Sequence, residues 1–195
     1  MEMHGFERAV LGSRAWGAVS RRVVVPWLAS FARFPSRAEV LEVGAGGGFN
    51  AQALLVRHPG WRLVATDYDP DMVERANKRL EPFRSRVTVE QADATALPYP
   101  DARFDVVLAI GVWHHVGVWE EATAEAGRVL RPRGLIVLAD LLPGFFRGPN
   151  RALFPPERSY LLEDLRELLA DCGFGRWRAR ARGSLWYRLV ADKAA

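Results

Sequence analysis

The sequence predicts an α/β fold: one doubly wound, mostly parallel sheet with helices on both faces. Three observations predict it. Short apolar runs rich in valine and leucine alternate with stretches of helical spacing along residues 38–142, the pattern of strands joined by crossover helices. The first run ends in a glycine-rich turn, VLEVGAGGGFN at 40–50, which opens the first crossover helix. The chain has 195 residues, 49% of them hydrophobic, enough for one domain with a full core and too few for two comfortable ones.

The elements follow in order. Residues 1–35 mix arginines with Trp16, Val19, Val23, Trp27, Leu28 and Phe31 at roughly helical spacing, with Pro26 as a break; a domain over 36–195 follows. AEVLEV (38–43) reads as a buried strand, and FNAQALLVRH (49–58) as a helix stopped by Pro59-Gly60. WRLVATD (61–67) is the second strand. Asp69 and Pro70 open the next helix as N-cap and first-turn proline. RVTVEQAD (86–93) and FDVVLAIG (104–111) are strands three and four, and a helix covers roughly 118–130. GLIVLADLL (134–142) is strand five. A helix over 159–172 ends at Gly173, and 176–182 and 185–191 form a closing hairpin about Gly183-Ser184. The loop 143–158 holds four prolines and three phenylalanines, and a loop of that length is often a lid or binding loop.

Composition excludes several classes. One cysteine, Cys172, allows no intrachain disulfide and no thiolate metal cluster, which fits a reducing compartment. No stretch approaches the roughly 18 apolar residues of a membrane span. The N-terminus carries acids and arginines inside any apolar core, so it does not read as a secretory signal, and a cytoplasmic location is expected. The net charge of +4 is spread along the chain, with two lysines among 27 basic residues. That pattern gives little support to a nucleic-acid partner.

The glycine turn sits where a doubly wound sheet binds its ligand, outside the carboxyl ends of the strands. Glycine lets a ligand approach the main chain, and a helix N-terminus supplies amide donors. Strand two ends in Asp67, placed to accept hydrogen bonds from both hydroxyls of a ribose. The ligand is therefore expected to be a nucleoside or nucleotide. A dinucleotide pattern fails from Gly44 because Phe49 takes its sixth position, although Gly46-x-Gly48-x-x-Ala51 fits the spacing. The pattern E-x-G-x-G-x-G fits throughout, through Glu42, Gly44, Gly46 and Gly48. An anion at the strand end disfavours a pyrophosphate and favours a ligand with an ammonium and a sulfonium. That ligand is S-adenosylmethionine.

Five ordered stretches carry a resemblance: VLEVGAGGG, VATDYDPDMVERA, QADATALPYPDARFDVV, AIGVWHHV and RVLRPRGLIVLAD. Over 38–140 the chain resembles the class I S-adenosylmethionine-dependent methyltransferases, in particular the ubiquinone/menaquinone-type and other small-molecule enzymes. The resemblance implies a Rossmann-like seven-stranded sheet with an antiparallel last strand. It implies that Gly44 and Gly46 pass under the methionine part of the cofactor and that Gly48 also belongs to the cofactor-binding turn. Glu42 would act near its amino group, Asp67 on the ribose and Tyr68 against the adenine. Asp93 and the amide of Ala94 would reach the adenine edge, and Ile110 would line the methionine side. In such a family an N-terminal segment like 1–35 covers the pocket, although a packing helix with a basic face fits as well, and so does weak contact with a membrane surface.

Transfer of an activated methyl is mostly positioning, and a general base helps where the nucleophile carries a proton. His115, His114 and Asp140 are the candidates. No acid besides Asp140 stands at the ends of strands four and five, so no metal is expected. Gly-Val-Trp-His replaces the Asn/Asp-Pro-Pro-aromatic box of DNA amino-methylating enzymes. The acceptor pocket is expected from the N-terminal segment, Trp113, His114 and His115 of the 112–118 loop, and Phe145, Phe146 and Phe154 of the 143–158 loop. Arg147 or Arg151 could meet an acidic group there. Those aromatics point to a small apolar or aromatic acceptor. In RWRARAR, Arg176, Arg178, Arg180 and Arg182 share one face; this reads as an edge strand guarded by charge, or as a surface for an anion. Two alternatives stay open: a cofactor-binding protein on the same fold without catalysis, and a nicotinamide-linked oxidoreductase using the Gly46 register.

Overall fold

The computed structural model describes residues 13–145, 147 and 160–195. Of the residues expected to shape the acceptor site, Phe146, Phe154 and Arg151 lie outside the described residues, as do most of 143–158.

The segments α1 (Arg14–Val19) and α2 (Val25–Ala29) are joined by a π-helical turn over Ser20–Val24. Pro26 does not break this run. It falls in the first turn of α2, where a missing N–H costs no intrahelical bond, and the wider turn before it carries the chain through. The segment then lies on the sheet domain. A Cβ on Gly17 would collide with the Phe49 ring, so glycine is what lets α1 lie close. Ser20 donates to Asn50 at 2.5 Å, and Val25 and Leu28 are buried in the core.

The α/β part runs β1 (Arg37–Val43), α3 (Phe49–Arg57), β2 (Gly60–Asp67), α4 (Pro70–Leu80), β3 (Val87–Gln91), β4 (Phe104–Ile110), α5 (Trp119–Val129), β5 (Leu130–Leu141), α6 (Leu162–Asp171), β6 (Phe174–Arg182) and β7 (Trp186–Lys193). Asp69 caps α4 as expected, accepting from the Asp71 amide at 2.9 Å. Gly173 leaves α6 at φ +81, the left-handed C-terminal stop that glycine adopts without strain.

The sheet has seven strands in the order β3-β2-β1-β4-β5-β7-β6. β1 to β5 pair in parallel, and β7 pairs antiparallel with both β5 and β6. The last strand is thus inserted between the two before it, and β6 is an edge, as its arginine comb led one to expect. The hairpin loop is longer than expected, since Arg182 pairs with Trp186 across 183–185.

Alternation along the strands divides the core into two layers. Leu41, Val43, Val107, Leu138, Tyr187 and Leu189 pack towards α5 and α6. Val40, Leu63, Val106, Leu108, Val137 and Val190 pack towards α2, α3 and α4. The carboxyl ends of β1, β2, β4 and β5 therefore converge on one rim.

Candidate functional site

The glycine turn is held from two sides. The Gly46 amide donates to Asp67 Oδ2 at 2.7 Å, and Arg79 of α4 donates to the Gly47 carbonyl while lying over the Phe49 ring. Gly44, Gly46 and Gly48 all have φ near +50 to +80, at 66, 54 and 77. Their surroundings differ. A Cβ on Gly44 would stand 2.5 Å from a Val112 methyl, and one on Gly48 3.2 Å from Ala76 of α4. A Cβ on Gly46 would meet nothing within 4 Å. Two of the three glycines thus serve internal packing, and Gly46 alone of the three opens onto space.

Glu42, one residue before the end of β1, is 1% exposed, and neither carboxylate oxygen has a hydrogen-bond partner. Burial, with the Asp67 carboxylate beside it, pushes its carboxyl up to about 8. Asp67 is also buried, and burial raises it too, against the amides of Asp69 and Gly46 that favour its charged form. Each Asp67 oxygen accepts one amide, Asp69 on Oδ1 at 3.0 Å and Gly46 on Oδ2, which leaves lone pairs on both for a ligand.

Beyond Asp67, a cavity of about 210 Å³ is bordered by Tyr68, Asp93, Ala94 and His115. Tyr68 is exposed. Asp93 Oδ1 is occupied by the amide and hydroxyl of Thr95, at 2.9 and 2.8 Å. The loop after β3 is pinned to α5, where Glu125 accepts from the Leu97 amide and Arg128 donates to the carbonyls of Leu97 and Tyr99.

A second cavity, of about 840 Å³, lies over the ends of β4 and β5. Trp16, Val23, Val24 and Trp27 of the N-terminal segment cover it, and Ile110, Gly111 and Asp140 form its base. Its remaining wall is the β6–β7 hairpin, with Arg180, Arg182, Trp186 and Arg188. This wall was missed from sequence, as was Gly111, which has φ +71 and open space where a Cβ would be. A glycine directly after strand four was the available signal.

The three candidate bases do not share one cavity. His115 borders the smaller cavity with Tyr68, Asp93 and Ala94. Asp140 borders the larger one, but its carboxylate is taken. Oδ1 meets His114 Nδ1 at 2.5 Å and the Leu141 amide at 2.7 Å. Oδ2 accepts from the His114 amide at 3.0 Å and Tyr160 at 3.1 Å. Burial alone would raise the Asp140 carboxyl; the His114 imidazole and these donors outweigh it and hold the group below its ordinary value. Four partners thus fill the four lone-pair sites of Asp140. His114 is buried against it, with its ring 3.9 Å from that of His115. Trp113, expected in the acceptor wall, is instead 1% exposed inside the core. Among the described residues no group of three or more His, Cys, Asp or Glu side chains comes together to hold a metal. No helix among them is long and apolar enough to cross a membrane.

A glycine turn tied to a strand-end acid, beside a buried carboxylate on a doubly wound sheet, defines a nucleoside-binding protein of the methyltransferase class. The comparisons agree. Residues 41–138 match the family model described as a methyltransferase domain, and the chain belongs to that family. It is 30% identical over 184 residues to the malonyl-[acyl-carrier protein] O-methyltransferase of Geobacter sulfurreducens, covering 88% of this chain and 68% of that protein. It is 34% identical over 148 residues to a protein of Mycobacterium tuberculosis named a probable S-adenosylmethionine-dependent methyltransferase, covering 70% of this chain and 48% of that one. The chain spans about half the length of several of the curated relatives it matches. A crystal structure of an S-adenosylmethionine-dependent methyltransferase from Aquifex aeolicus shares the fold, with a TM-score of 0.76 at 21% identity over 98% of this chain and 99% of that one.

Proposed function

We propose that the chain transfers a methyl group from S-adenosylmethionine to a small, largely apolar or aromatic organic acceptor. Glu42 is the observation that carries this reading. A carboxylate buried without a hydrogen bond is tolerated only when neutral or beside a cation. The ammonium group of the cofactor supplies one, and a pyrophosphate would not. Gly46 offers the open main chain, and Asp67 has lone pairs left for the ribose. Tyr68, Asp93 and Ala94 border the space for adenine, with Ile110 and Gly111 on the methionine side. Gly44 and Gly48 act by holding the turn.

Bound S-adenosylmethionine supplies a methyl already activated on a sulfonium. The chain's own part is to orient an acceptor and exclude water in the larger cavity. The segment 14–29 is a fixed wall of that cavity rather than a detachable lid, because Val25 and Leu28 are rooted in the core. For an acceptor that must lose a proton, His115 and His114 are the candidate bases, His115 at the edge of the smaller cavity and His114 bonded to Asp140. The Geobacter relative is named for O-methylation of a carrier-borne malonyl group, and a small organic acceptor of that kind suits this cavity better than a nucleic acid.

Calorimetry with S-adenosylmethionine, S-adenosylhomocysteine and NAD, followed by methyl transfer from labelled cofactor over a metabolite panel, tests the proposal. Binding of the two sulfur nucleosides and not of NAD is expected. Tight NAD binding, or cofactor binding with no transfer to any small acceptor, would overturn it.

A further inference from the structure

The larger cavity carries a charge that methyl transfer by itself does not explain. Arg180 and Arg188 stand directly opposite one another on β6 and β7, a pairing that like charges disfavour. With Arg182 they border a cavity whose other walls include Trp16, Val23, Trp27, Ile110 and Trp186. Arg188 is only 6% exposed. It donates to the Trp27 carbonyl and, at 3.0 Å, to Ser30 Oγ, and it lies 4.5 and 4.4 Å from the Trp27 and Phe31 ring centres. These contacts clamp the N-terminal segment, but every partner is uncharged, and Arg188 Nε is buried without a hydrogen bond. No described carboxylate pairs with Arg180, Arg182 or Arg188. Asp140, the one acid among the described residues bordering the cavity, is committed to its four partners. A buried guanidinium without a counter-ion, faced by a second one, is unfavourable unless an anion arrives.

We infer that the acceptor is an amphipathic anion, with an apolar body between the tryptophans and the ends of β4 and β5, and a carboxylate or phosphate group received by Arg188 and Arg180. The inference rests on the proposed methyl transfer for the identity of this cavity as the acceptor site. Sheet register adds a length. Ile110 pairs with Ala139, Ala139 with Arg188, and Arg188 with Arg180, in one row across four strands. Strands are about 4.8 Å apart, so Arg188 lies roughly 10 Å and Arg180 roughly 14 Å along the sheet from Ile110. The atom that receives the methyl at the Ile110 end is therefore remote from the anionic group, and the product keeps its charge.

Three ten-carbon probes test this on the full chain: decanoate, decyl phosphate and the neutral decan-1-ol. Dissociation constants are read from tryptophan fluorescence and calorimetry at about 0.15 M salt, with and without S-adenosylhomocysteine. At least one anion is expected to bind about tenfold or more tighter than the alcohol. Whichever anion leads names the head group. Arg180→Gln is expected to weaken the anion about fivefold or more while the alcohol stays within about twofold. Arg188→Gln is expected to do the same more steeply. Arg180 is exposed and its side chain makes no described hydrogen bond, so its variant reports even if the Arg188 variant unfolds. An alcohol that binds as tightly as both anions, or an Arg180→Gln protein with unchanged anion affinity, overturns the inference. Anion binding by the unmodified chain with no binding of S-adenosylhomocysteine or S-adenosylmethionine would sink the methyl-transfer reading and leave the anion site standing.

Discussion

The amide of Gly46 donates a 2.7 Å hydrogen bond to Asp67 Oδ2, across 21 residues of sequence and two neighbouring strands. The glycine turn and the strand-end acid are therefore one hydrogen-bonded unit, not two independent ligand contacts. Replacing Asp67 with alanine should have two effects. Affinity for S-adenosylhomocysteine should fall by about 1.5–3 kcal/mol, the scale of charge-assisted hydrogen bonds. The unliganded protein should also melt roughly 3–8 °C lower, because two amides lose their acceptor. Calorimetry and a thermal melt read these separately, and unchanged affinity would remove the ribose assignment.

Gly44 and Gly46 should part company under substitution. Gly46→Ala enters open space, so the protein should fold with a strain of about 1–2 kcal/mol from its left-handed backbone and bind S-adenosylhomocysteine poorly. Gly46→Val should abolish binding in a folded protein. Gly44→Ala meets Val112 and should lower stability directly. Circular dichroism melts beside binding isotherms distinguish the pair. A folded Gly46→Val protein with normal affinity would refute the placement of the turn.

Glu42 makes stability depend on pH. Its folded value is raised to about 8, so the native state holds a proton that the unfolded chain releases at lower pH. Stability should fall as pH rises through the window from the ordinary glutamate value to about 8. Glu42→Gln removes that slope, so its melting temperature should draw ahead of the parent's across the window. Cofactor binding near pH 7 should release protons, up to about one, as the arriving ammonium favours the ionised carboxyl. Calorimetry in buffers of different ionisation enthalpy counts them, and no release would mean that no cation meets Glu42.

Asp140→Asn should be costly although it is nearly isosteric. An amide group would turn donors towards donors in a buried cluster of His114, Tyr160 and Leu141. Breaking a buried charged pair costs about 3–5 kcal/mol, and urea unfolding would show it. A loss below about 1 kcal/mol would mean that the cluster is not organised around this carboxylate.

The sequence by itself determined the alternation of strands and helices, the rim on which β1, β2 and β4 end, and the residues Glu42, Gly46, Asp67, Tyr68, Asp93, Ala94 and Ile110 on that rim. These were legible because period, capping and glycine conformation are local: Asp69 caps the helix that Pro70 starts, and an acid before a glycine turn needs no distant partner to be noticed. Tertiary structure decided the rest. That Val112 and Ala76 stand where a Cβ on Gly44 or Gly48 would go is visible only in the fold. His114, Asp140, Tyr160 and Tyr187 meet only once β5 and β7 are paired. The arginine comb reads as a guarded edge in one dimension. Insertion of β7 between β5 and β6 places Arg188 opposite Arg180 and beside Ala139, on the wall of a cavity roofed by Trp16 and Trp27. Strand order and register are set by long-range burial, which a chain states in no single stretch, so the glycine-turn end of the rim could be read from local chemistry and the arginine-lined cavity could not.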